Sequence, residues 1–304
     1  MRRSIVAACL LTSVSCTGRQ AIAPATTNWP ELPAGTKAVL LVTGGDAGFW
    51  KPQGCNQGAG GAQYRPALDR WLAQQHPEIE RVWLSTGNTV DVGEESVESP
   101  ESMLRRLRDV PYRAIAVGSA ELAHLPLERL LALQRDEKVP LLSSHLFDRD
   151  AMEPLFPSEL TLNLAGGRWV VLALGPDRRD WQQTVQGHGT IVTVDSVDAI
   201  SARVGAARAA GEHVLLLSNL PQGDVDRVTR RVTGVDLIVA TDGSVAFETP
   251  RDMNGTASLW LGVTGLRLGR VAIGDGGRVL AVESLVVRSP FPVDPTVDGT
   301  LQRH

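Results

Sequence analysis

Short apolar runs, bounded by glycine, aspartate or asparagine, are the feature that most constrains how this chain folds. Runs such as Ala38–Thr43 and His213–Leu217 are apolar almost throughout, which is typical of strands buried on both faces. Segments of helical periodicity separate them, and this alternation favours a layered α/β architecture over a helix bundle or an all-β barrel. The predicted strands are Ala38–Thr43, Arg81–Ser85, Ala114–Val117, Val139–Ser143, Trp169–Leu174, His213–Leu217 and Leu237–Ala240.

The segments between these strands predict helices, and the pattern changes after Gly255. One helix is expected at Pro66–Gln75, another after the cap residue Ser99, and a third from Ser196 to Gly211, where glycine favours a helix end. Beyond Gly255 the sequence predicts only strands, at Ala257–Gly262, Leu268–Gly274 and Arg278–Val287.

The N-terminal residues have the pattern of an export signal. Two arginines precede the apolar run Ile5–Leu11, which is too short to span a bilayer but fits the apolar region of a secretory signal. Cys16 follows a segment that suits lipoprotein processing, so we expect a signal peptide at residues 1–16 with lipidation of Cys16. Cleavage elsewhere, releasing a soluble periplasmic protein, is the alternative.

The remainder predicts one domain between two irregular segments. Residues 17–36, which are rich in alanine, threonine and proline, are expected to form a flexible tether. A chain of 304 residues with 43% hydrophobic content often folds as a single α/β domain, placed here at residues 37–288. Residues 289–304 contain several prolines and are expected to be an irregular tail.

Charge and cysteine content narrow the classes of partner. Removing Arg2 and Arg3 with the signal leaves 28 basic residues against 34 acidic ones, a net charge of −6. This balance disfavours nucleic acid and anionic lipid as partners, so membrane contact is expected only through a lipid anchor. If Cys9 leaves with the signal and Cys16 is acylated, Cys55 is the one free thiol, and a thiol-dependent assembly role for it is an alternative hypothesis.

Motifs at the predicted strand ends carry a resemblance to a known family. They are Thr43-Gly44-Gly45-Asp46-Ala47-Gly48, Gly87-Asn88, Gly118-Ser119-Ala120-Glu121, Ser218-Asn219 and Thr241-Asp242-Gly243-Ser244, with Gly60-Gly61-Ala62-Gln63-Tyr64-Arg65 between the first two. Their order and spacing resemble the catalytic domain of the 5′-nucleotidase-like, calcineurin-type metallophosphoesterases, over roughly residues 37–285. The resemblance implies a four-layer α/β/β/α sandwich in which the strand ends surround two metal ions.

The metal-binding motifs of that family are degenerate in this chain. The resemblance implies that the family's ligands and catalytic acid fall on Gly45, Ala47, Asn88, Ser119, Ala120, Asn219, Asp242 and Ser244, with Asp46 beside the first two. Two-metal hydrolysis requires hard oxygen and imidazole ligands with a bridging carboxylate, and an asparagine stands at the bridging position. We therefore expect no catalytic residues and no cofactor, and predict a pseudoenzyme that binds a small molecule or a protein of the cell envelope.

Two alternatives keep some metal chemistry. A cluster of oxygens from Asp46, Asn88, Asn219 and Asp242 would hold a divalent ion such as Ca²⁺ or Mg²⁺ weakly. A rebuilt site that uses Asp46, Asn88, Glu121 and Asp242 would make the chain an active phosphoester or nucleotide hydrolase. An unrelated α/β fold with accidental motif matches is a further alternative.

Overall fold

A computed structural model of the chain describes residues 29–51, 60–90, 99–175, 191–242, 246–263 and 265–287. The helices within these ranges are α1 Arg65–Gln75, α2 Pro100–Arg106, α3 Ser119–His124, α4 Leu127–Arg135, α5 Ser196–Ala209 and α6 Gln222–Arg231. The strands are β1 Ala38–Thr43, β2 Glu80–Ser85, β3 Tyr112–Ala116, β4 Leu141–Leu142, β5 Leu146–Asp148, β6 Glu159–Leu164, β7 Gly167–Leu174, β8 Ile191–Thr193, β9 His213–Ser218, β10 Leu237–Ala240, β11 Arg251–Met253, β12 Thr256–Trp260, β13 Arg267–Ile273 and β14 Val279–Val286.

Two six-stranded sheets form the centre of the domain. The first has the order β14-β13-β1-β2-β3-β4, in which β1 to β4 are parallel and β13 runs antiparallel to β1. The second has the order β11-β12-β10-β9-β7-β6, with β7, β9, β10 and β12 parallel. Parallel strands therefore fill most of each sheet, and a separate pair joins β5 to β8.

Side chains alternate between two faces of each sheet, and this alternation creates four layers. From β1, Leu40 lies in the core between the sheets, whereas Leu41 lies in the core beneath α1, α2 and α4. From β7, Val171 faces the other sheet, whereas Val170 packs with residues of α5 and α6. Helices thus cover the outer face of both sheets, and the predicted α/β/β/α sandwich is confirmed.

Local capping explains where two of the helices begin. The Ser99 hydroxyl accepts a hydrogen bond of 3.2 Å from the backbone N–H of Ser102, and Pro100 occupies the first helical position of α2. For α5 the cap is Asp195, whose side chain accepts from the N–H of Val197 at 2.9 Å. The helix begins at Ser196, as the sequence predicted.

The structure agrees with the long predicted elements and differs at short ones. The strand predicted at Val139–Ser143 shortens to β4, because Val139 N–H donates to the carbonyl of Leu133 and Ser143 N–H to that of Pro157 rather than to a neighbouring strand. Elements that the sequence did not predict are at most ten residues long within the described ranges: α3, α4, α6, β5, β6, β8 and β11.

Residues 29–36, which we name the strap, lie against the domain, although the sequence assigned them to a flexible tether. The Trp29 ring meets Trp71 edge-on at 6.2 Å. Arg270, which is only 1% exposed, donates to the carbonyls of Pro30 and Glu31 and lies 5.1 Å from the Trp29 ring centre. The strap is therefore packed against the domain through the Trp29 ring and the two carbonyls that Arg270 binds.

In the part of the chain that the structure describes, none of the helices combines the length and apolar character needed to cross a bilayer.

Candidate functional site

The candidate site lies at the edge where the parallel strands of both sheets end, which we name the carboxyl edge. Parallel strands place their carboxyl ends together, and loops there form binding sites in α/β folds. The turns after β1, β2 and β3 contribute from the first sheet, and those after β9, β10 and β12 contribute from the second. The described strand-end motifs of the resemblance are all brought to this edge.

Backbone hydrogen bonds join the loops of the carboxyl edge to one another. In the loop after β1, Gly45 N–H donates to the Gly87 carbonyl at 2.9 Å and Ala47 N–H to that of Asn88 at 3.2 Å. The Gly45 carbonyl accepts from Gly265 N–H at 3.2 Å. The loop after β1 is therefore held on both sides by protein contacts.

Asp46 is paired with an arginine. Both of its carboxylate oxygens accept hydrogen bonds from the two terminal nitrogens of Arg65, one of them at 2.9 Å from Nη1 to Oδ2. Asp46 is fully buried and Arg65 is 4% exposed. A bidentate pair of this kind occupies both oxygens of the carboxylate. Each oxygen of Asp46 is therefore already bound to the guanidinium of Arg65.

Tyr112 and Thr43 extend this ion pair into a buried network. Arg65 Nη1 also donates to the Tyr112 hydroxyl at 3.0 Å, and that hydroxyl lies 2.7 Å from the hydroxyl of Thr43. Burial opposes the charged form of Arg65, but the charge of Asp46 and the hydrogen bonds to Asp46 and Tyr112 outweigh it and raise the pKa of the guanidinium. Burial, with the Asp46 charge, also raises the pKa of Tyr112. Arg65 therefore stays cationic and Tyr112 a neutral phenol at physiological pH.

Glu121 binds backbone N–H groups of the loop after β2 and of the turn after β3. Its Oε2 accepts from the N–H of Gly118 at 2.8 Å and of Asn88 at 3.0 Å, and its Oε1 accepts from the N–H and hydroxyl of Thr89 at 2.6 and 2.7 Å. The residue is fully buried. Both oxygens are thus committed to holding the loop, and they fit a structural role rather than metal ligation.

Asn88, at the position of the bridging carboxylate, uses its side-chain oxygen within the protein. Asn88 Oδ1 accepts from the Ser119 hydroxyl at 3.2 Å and from Ala120 N–H at 3.0 Å. The two degenerate positions at the start of α3 therefore bind Asn88 directly. An amide oxygen that already accepts two hydrogen bonds and carries no net charge is a poor bridge between two cations.

The space that a ligand side chain at position 45 would need is filled by backbone. Gly45 has φ +61°, and a β-carbon placed on it would stand 2.7 Å from the Gly262 carbonyl oxygen and 3.3 Å from the Val263 α-carbon. Ala47 also has a positive φ, of 48°. The turn after β12 thus closes against the loop after β1 at this position.

Asn219 and Asp242 complete the described positions. Asn219 Nδ2 donates to the Thr86 carbonyl at 2.9 Å, whereas its buried Oδ1 has no hydrogen-bond partner within the described ranges. Asp242, which is partly exposed, accepts from Gln222 N–H at 3.3 Å at the start of α6. Ser244, Cys16 and Cys55 lie outside the described residues.

These donors do not fit a dinuclear metal site. The carboxylates of Asp46 and Glu121 are saturated by Arg65 and by N–H groups, and the Asn88 oxygen holds α3. What is left is the neutral, buried Asn219 Oδ1 and the partly exposed Asp242 carboxylate, whereas Zn²⁺ and Mn²⁺ sites use imidazole and several carboxylate ligands. No group of three or more His, Cys, Asp or Glu side chains gathers around a point in the described ranges.

A cleft of about 240 Å³ opens at the same edge. It is lined by His145, Gly175, Arg227 and residues 193–196, at the start of α5. Arg227 donates to Asp195 at 2.6 Å, so the wall carries a paired positive and negative charge. Its volume is below the usual range for drug-sized ligands, so the cleft suits a small polar molecule.

Sequence reasoning missed Arg65 and Tyr112 as members of this site. Arg65 follows the Gly60–Gly61 motif, but nothing in that motif indicates that its partner is Asp46. Tyr112 begins β3 and resembles any aromatic residue at a strand start. An arginine soon after a glycine pair and at the start of a helix was the one available signal.

The chain is similar to known proteins in its three-dimensional structure. No protein-family model matches the chain, and no curated protein matches it. The sulfate thiohydrolase SoxB from Thermus thermophilus, in complex with glycerol, superimposes with a TM-score of 0.74 at 17% identity, covering 90% of this chain and 62% of that one. A 5′-nucleotidase precursor, also from Thermus thermophilus, gives 0.69 at 18% identity, covering 87% and 57%.

A third solved structure matches over nearly its whole length. The calcineurin-like phosphoesterase YfkN from Bacillus subtilis gives a TM-score of 0.64 at 14% identity, covering 88% of this chain and 97% of that one. The chain spans less than two thirds of the SoxB and 5′-nucleotidase chains. At these identities the likeness concerns the fold. The resemblance predicted from the strand-end motifs is confirmed, and the chain has the fold of the calcineurin-like phosphoesterases and 5′-nucleotidases.

Proposed function

We propose that this protein is an exported pseudoenzyme of the metallophosphoesterase fold, which binds a small molecule or an envelope protein at its carboxyl edge. The observation that carries the proposal is the ion pair between Asp46 and Arg65. A fixed cation already neutralises the carboxylate beside the family's first ligand positions, so a metal ion would have to displace a buried, bidentate guanidinium.

Substitutions at the other positions support the same function. Protonation of a leaving group by the family's catalytic acid requires a side chain that titrates, and Ala120 stands at that position. Attack on phosphorus requires a metal-activated hydroxide, which in turn requires several ligands around one point. The described carboxylates of Asp46 and Glu121 are instead used in holding the loops of the carboxyl edge.

The cleft at the start of α5 supports a binding role. It combines the buried His145 with the Arg227–Asp195 pair in a small polar space. Binding sites commonly place a few polar groups in a concave surface of this kind. A small polar molecule is the ligand class that the cleft would accept, and an envelope protein would instead contact the loops around it.

The metal alternative has a direct test. The purified chain is incubated with Mn²⁺, Zn²⁺ or Ca²⁺, its metal content is measured after desalting, and hydrolysis of a generic phosphodiester and of a nucleotide is assayed. The proposal expects neither stoichiometric metal nor turnover. About two equivalents of metal, with turnover abolished by Asp242→Ala, would establish the rebuilt hydrolase site instead.

Export and anchoring are part of the proposal and rest on the N-terminal sequence. The apolar run Ile5–Leu11 and Cys16 fit a lipoprotein signal. Mass spectrometry of the N-terminal peptide from the native host should find an acylated Cys16, and Cys16→Ser should release the protein from the membrane fraction. A mature N-terminus elsewhere, with no lipid, would leave a soluble exported protein.

A further inference from the structure

The Asp46–Arg65 pair connects three elements at the carboxyl edge. Asp46 lies in the loop after β1, Arg65 is the first residue of α1, and Tyr112 is the first residue of β3. One guanidinium therefore fixes the β1 loop to a helix and to a second strand. A divalent ion organises loops in the same way, by drawing oxygens from several elements to one positive charge.

The turn after β12 closes directly over the pair. A β-carbon on Gly265 would stand 2.7 Å from Asp46 Oδ1 and 3.4 Å from Arg65 Nη2, so no space for a side chain remains between residue 265 and the pair. Gly265 N–H also donates to the Gly45 carbonyl. The turn after β12 thus packs against the ion pair.

A buried ion pair has a specific energetic signature. Removing two charges from water is costly, so the net contribution of the pair to stability is small, but removing one partner leaves a buried charge uncompensated. Removing either partner alone should therefore cost much more stability than half of what is lost when both are removed. This coupling separates an organising ion pair from two residues that merely pack well.

We infer that the guanidinium of Arg65 is a built-in cation that takes the place of a metal ion in organising the carboxyl edge, so that the loops after β1 and β12 form with no divalent ion. The inference goes beyond the proposed function, because it states what holds the site together rather than what the site fails to catalyse.

The first test is a double-mutant cycle on the whole chain, using Arg65→Met, Asp46→Asn and the two combined. Arg65→Met should lower the folding equilibrium constant, measured by urea unfolding, on the order of a hundredfold or more. The folding equilibrium constant of the double variant should be at least about tenfold larger than the product of the two single effects predicts. The exposed pair Arg135 and Asp136, changed to Met and Asn, is the control and should show almost no coupling.

The second test needs no variant to fold. Hydrogen exchange of the wild-type protein should give the same protection at the amides of Gly45 and Gly265 in EDTA as in excess Mg²⁺, Ca²⁺ or Mn²⁺, and the melting temperature should not change. Independent effects in the cycle, or loss of protection in EDTA, would overturn the inference. Metal-dependent turnover with intact coupling would contradict only the proposed function, so the two fail separately.

Discussion

The side-chain amide of Asn219 donates a hydrogen bond of 2.9 Å to the backbone carbonyl of Thr86, which joins the end of β9 in one sheet to the end of β2 in the other. The Thr86 hydroxyl in turn lies 2.8 Å from the hydroxyl of Thr241, after β10. All three residues are buried. A direct contact between the sheets therefore stands at a position where the family resemblance implies a metal-binding histidine.

Restoring that histidine should weaken the protein rather than create a metal site. Asn219→Ala leaves the Thr86 carbonyl unpaired in a buried place and should cost about 1–3 kcal/mol. The space beside Asn219 is tight, because a β-carbon placed on Gly175 would stand only 3.1 Å from Asn219 Oδ1. The larger side chain of Asn219→His should therefore cost a similar amount. Urea unfolding measures both.

The exposed Asn163 of β6 is the matched control, and Asn163→Ala should change stability by less than about 0.5 kcal/mol. A stable Asn219→His variant that bound Mn²⁺ would mean that the edge still accepts a metal ion.

Gly45 should be intolerant of any side chain, including the aspartate that the family carries. Gly45→Ala combines a left-handed backbone with a β-carbon 2.7 Å from the Gly262 carbonyl oxygen. Gly211 has φ +70° with no atom within 4 Å of its β-carbon position, so Gly211→Ala should cost only the backbone term of about 1–2 kcal/mol. Gly45→Ala should cost about 1–3 kcal/mol more.

Denaturant unfolding of the two alanine variants gives this difference directly, and Gly45→Asp is then assayed for Mn²⁺ binding, with none expected. Equal losses at Gly45 and Gly211 would show that the turn after β12 moves aside easily, and that space for a ligand side chain can be made.

The layers of the fold could be predicted from the sequence because each depends on local patterns. β1 and β10 have the bounds expected from their apolar runs, since a run buried on both faces needs no distant partner to be recognised. The candidate site could be predicted only as a set of positions. Arg65 meets Asp46 at a separation of 19 residues and Tyr112 at 47, and no local pattern specifies which charges meet across such separations.

The same reason applies to Glu121. Its motif placed it at a strand end, and this position was consistent with the hypothesis that Glu121 is a metal ligand in a rebuilt hydrolase site. Its N–H donors at residues 88 and 89 come from another loop, so the saturation of its oxygens follows only from tertiary structure. The strap was missed because its few apolar residues acquire their role from Arg270, which lies 240 residues beyond Pro30 in the sequence.

Asp195 should make a pH-dependent contribution to stability. Its hydrogen bond with Arg227, together with the N–H of Val197, lowers the pKa of the carboxyl below its ordinary value. A lowered pKa in the folded state stabilises the protein above the unfolded value of about 3.9. That contribution is lost as the pH falls through the folded-state pKa. The pair is well exposed, so it should be worth less than about 1 kcal/mol.

Asp195→Asn keeps an acceptor for the helix cap but removes the charge, whereas Asp195→Ala removes both and should cost about 1 kcal/mol more. The stability difference between wild type and Asp195→Asn, measured by urea unfolding at several pH values, should be present at pH 7 and vanish in strong acid. Arg227→Gln should remove most of this pH dependence. A difference that persisted at low pH would assign the effect of Asp195 to its shape instead of its charge.

Removing the strap should destabilise the domain even though the strap contains no helix or strand. A chain beginning at Lys37 retains β1 and the bond from Lys37 N–H to the Ile273 carbonyl, but it exposes Trp71 and leaves Arg270 without two of its acceptors. We expect a loss of about 2–4 kcal/mol relative to a chain beginning at Trp29, from apolar burial and unpaired donors. Urea unfolding compares the two chains, with Trp29→Ala as an intermediate case. Equal stability would mean that Arg270 finds sufficient partners in Glu283 and water, and that the strap follows the domain surface without supporting it.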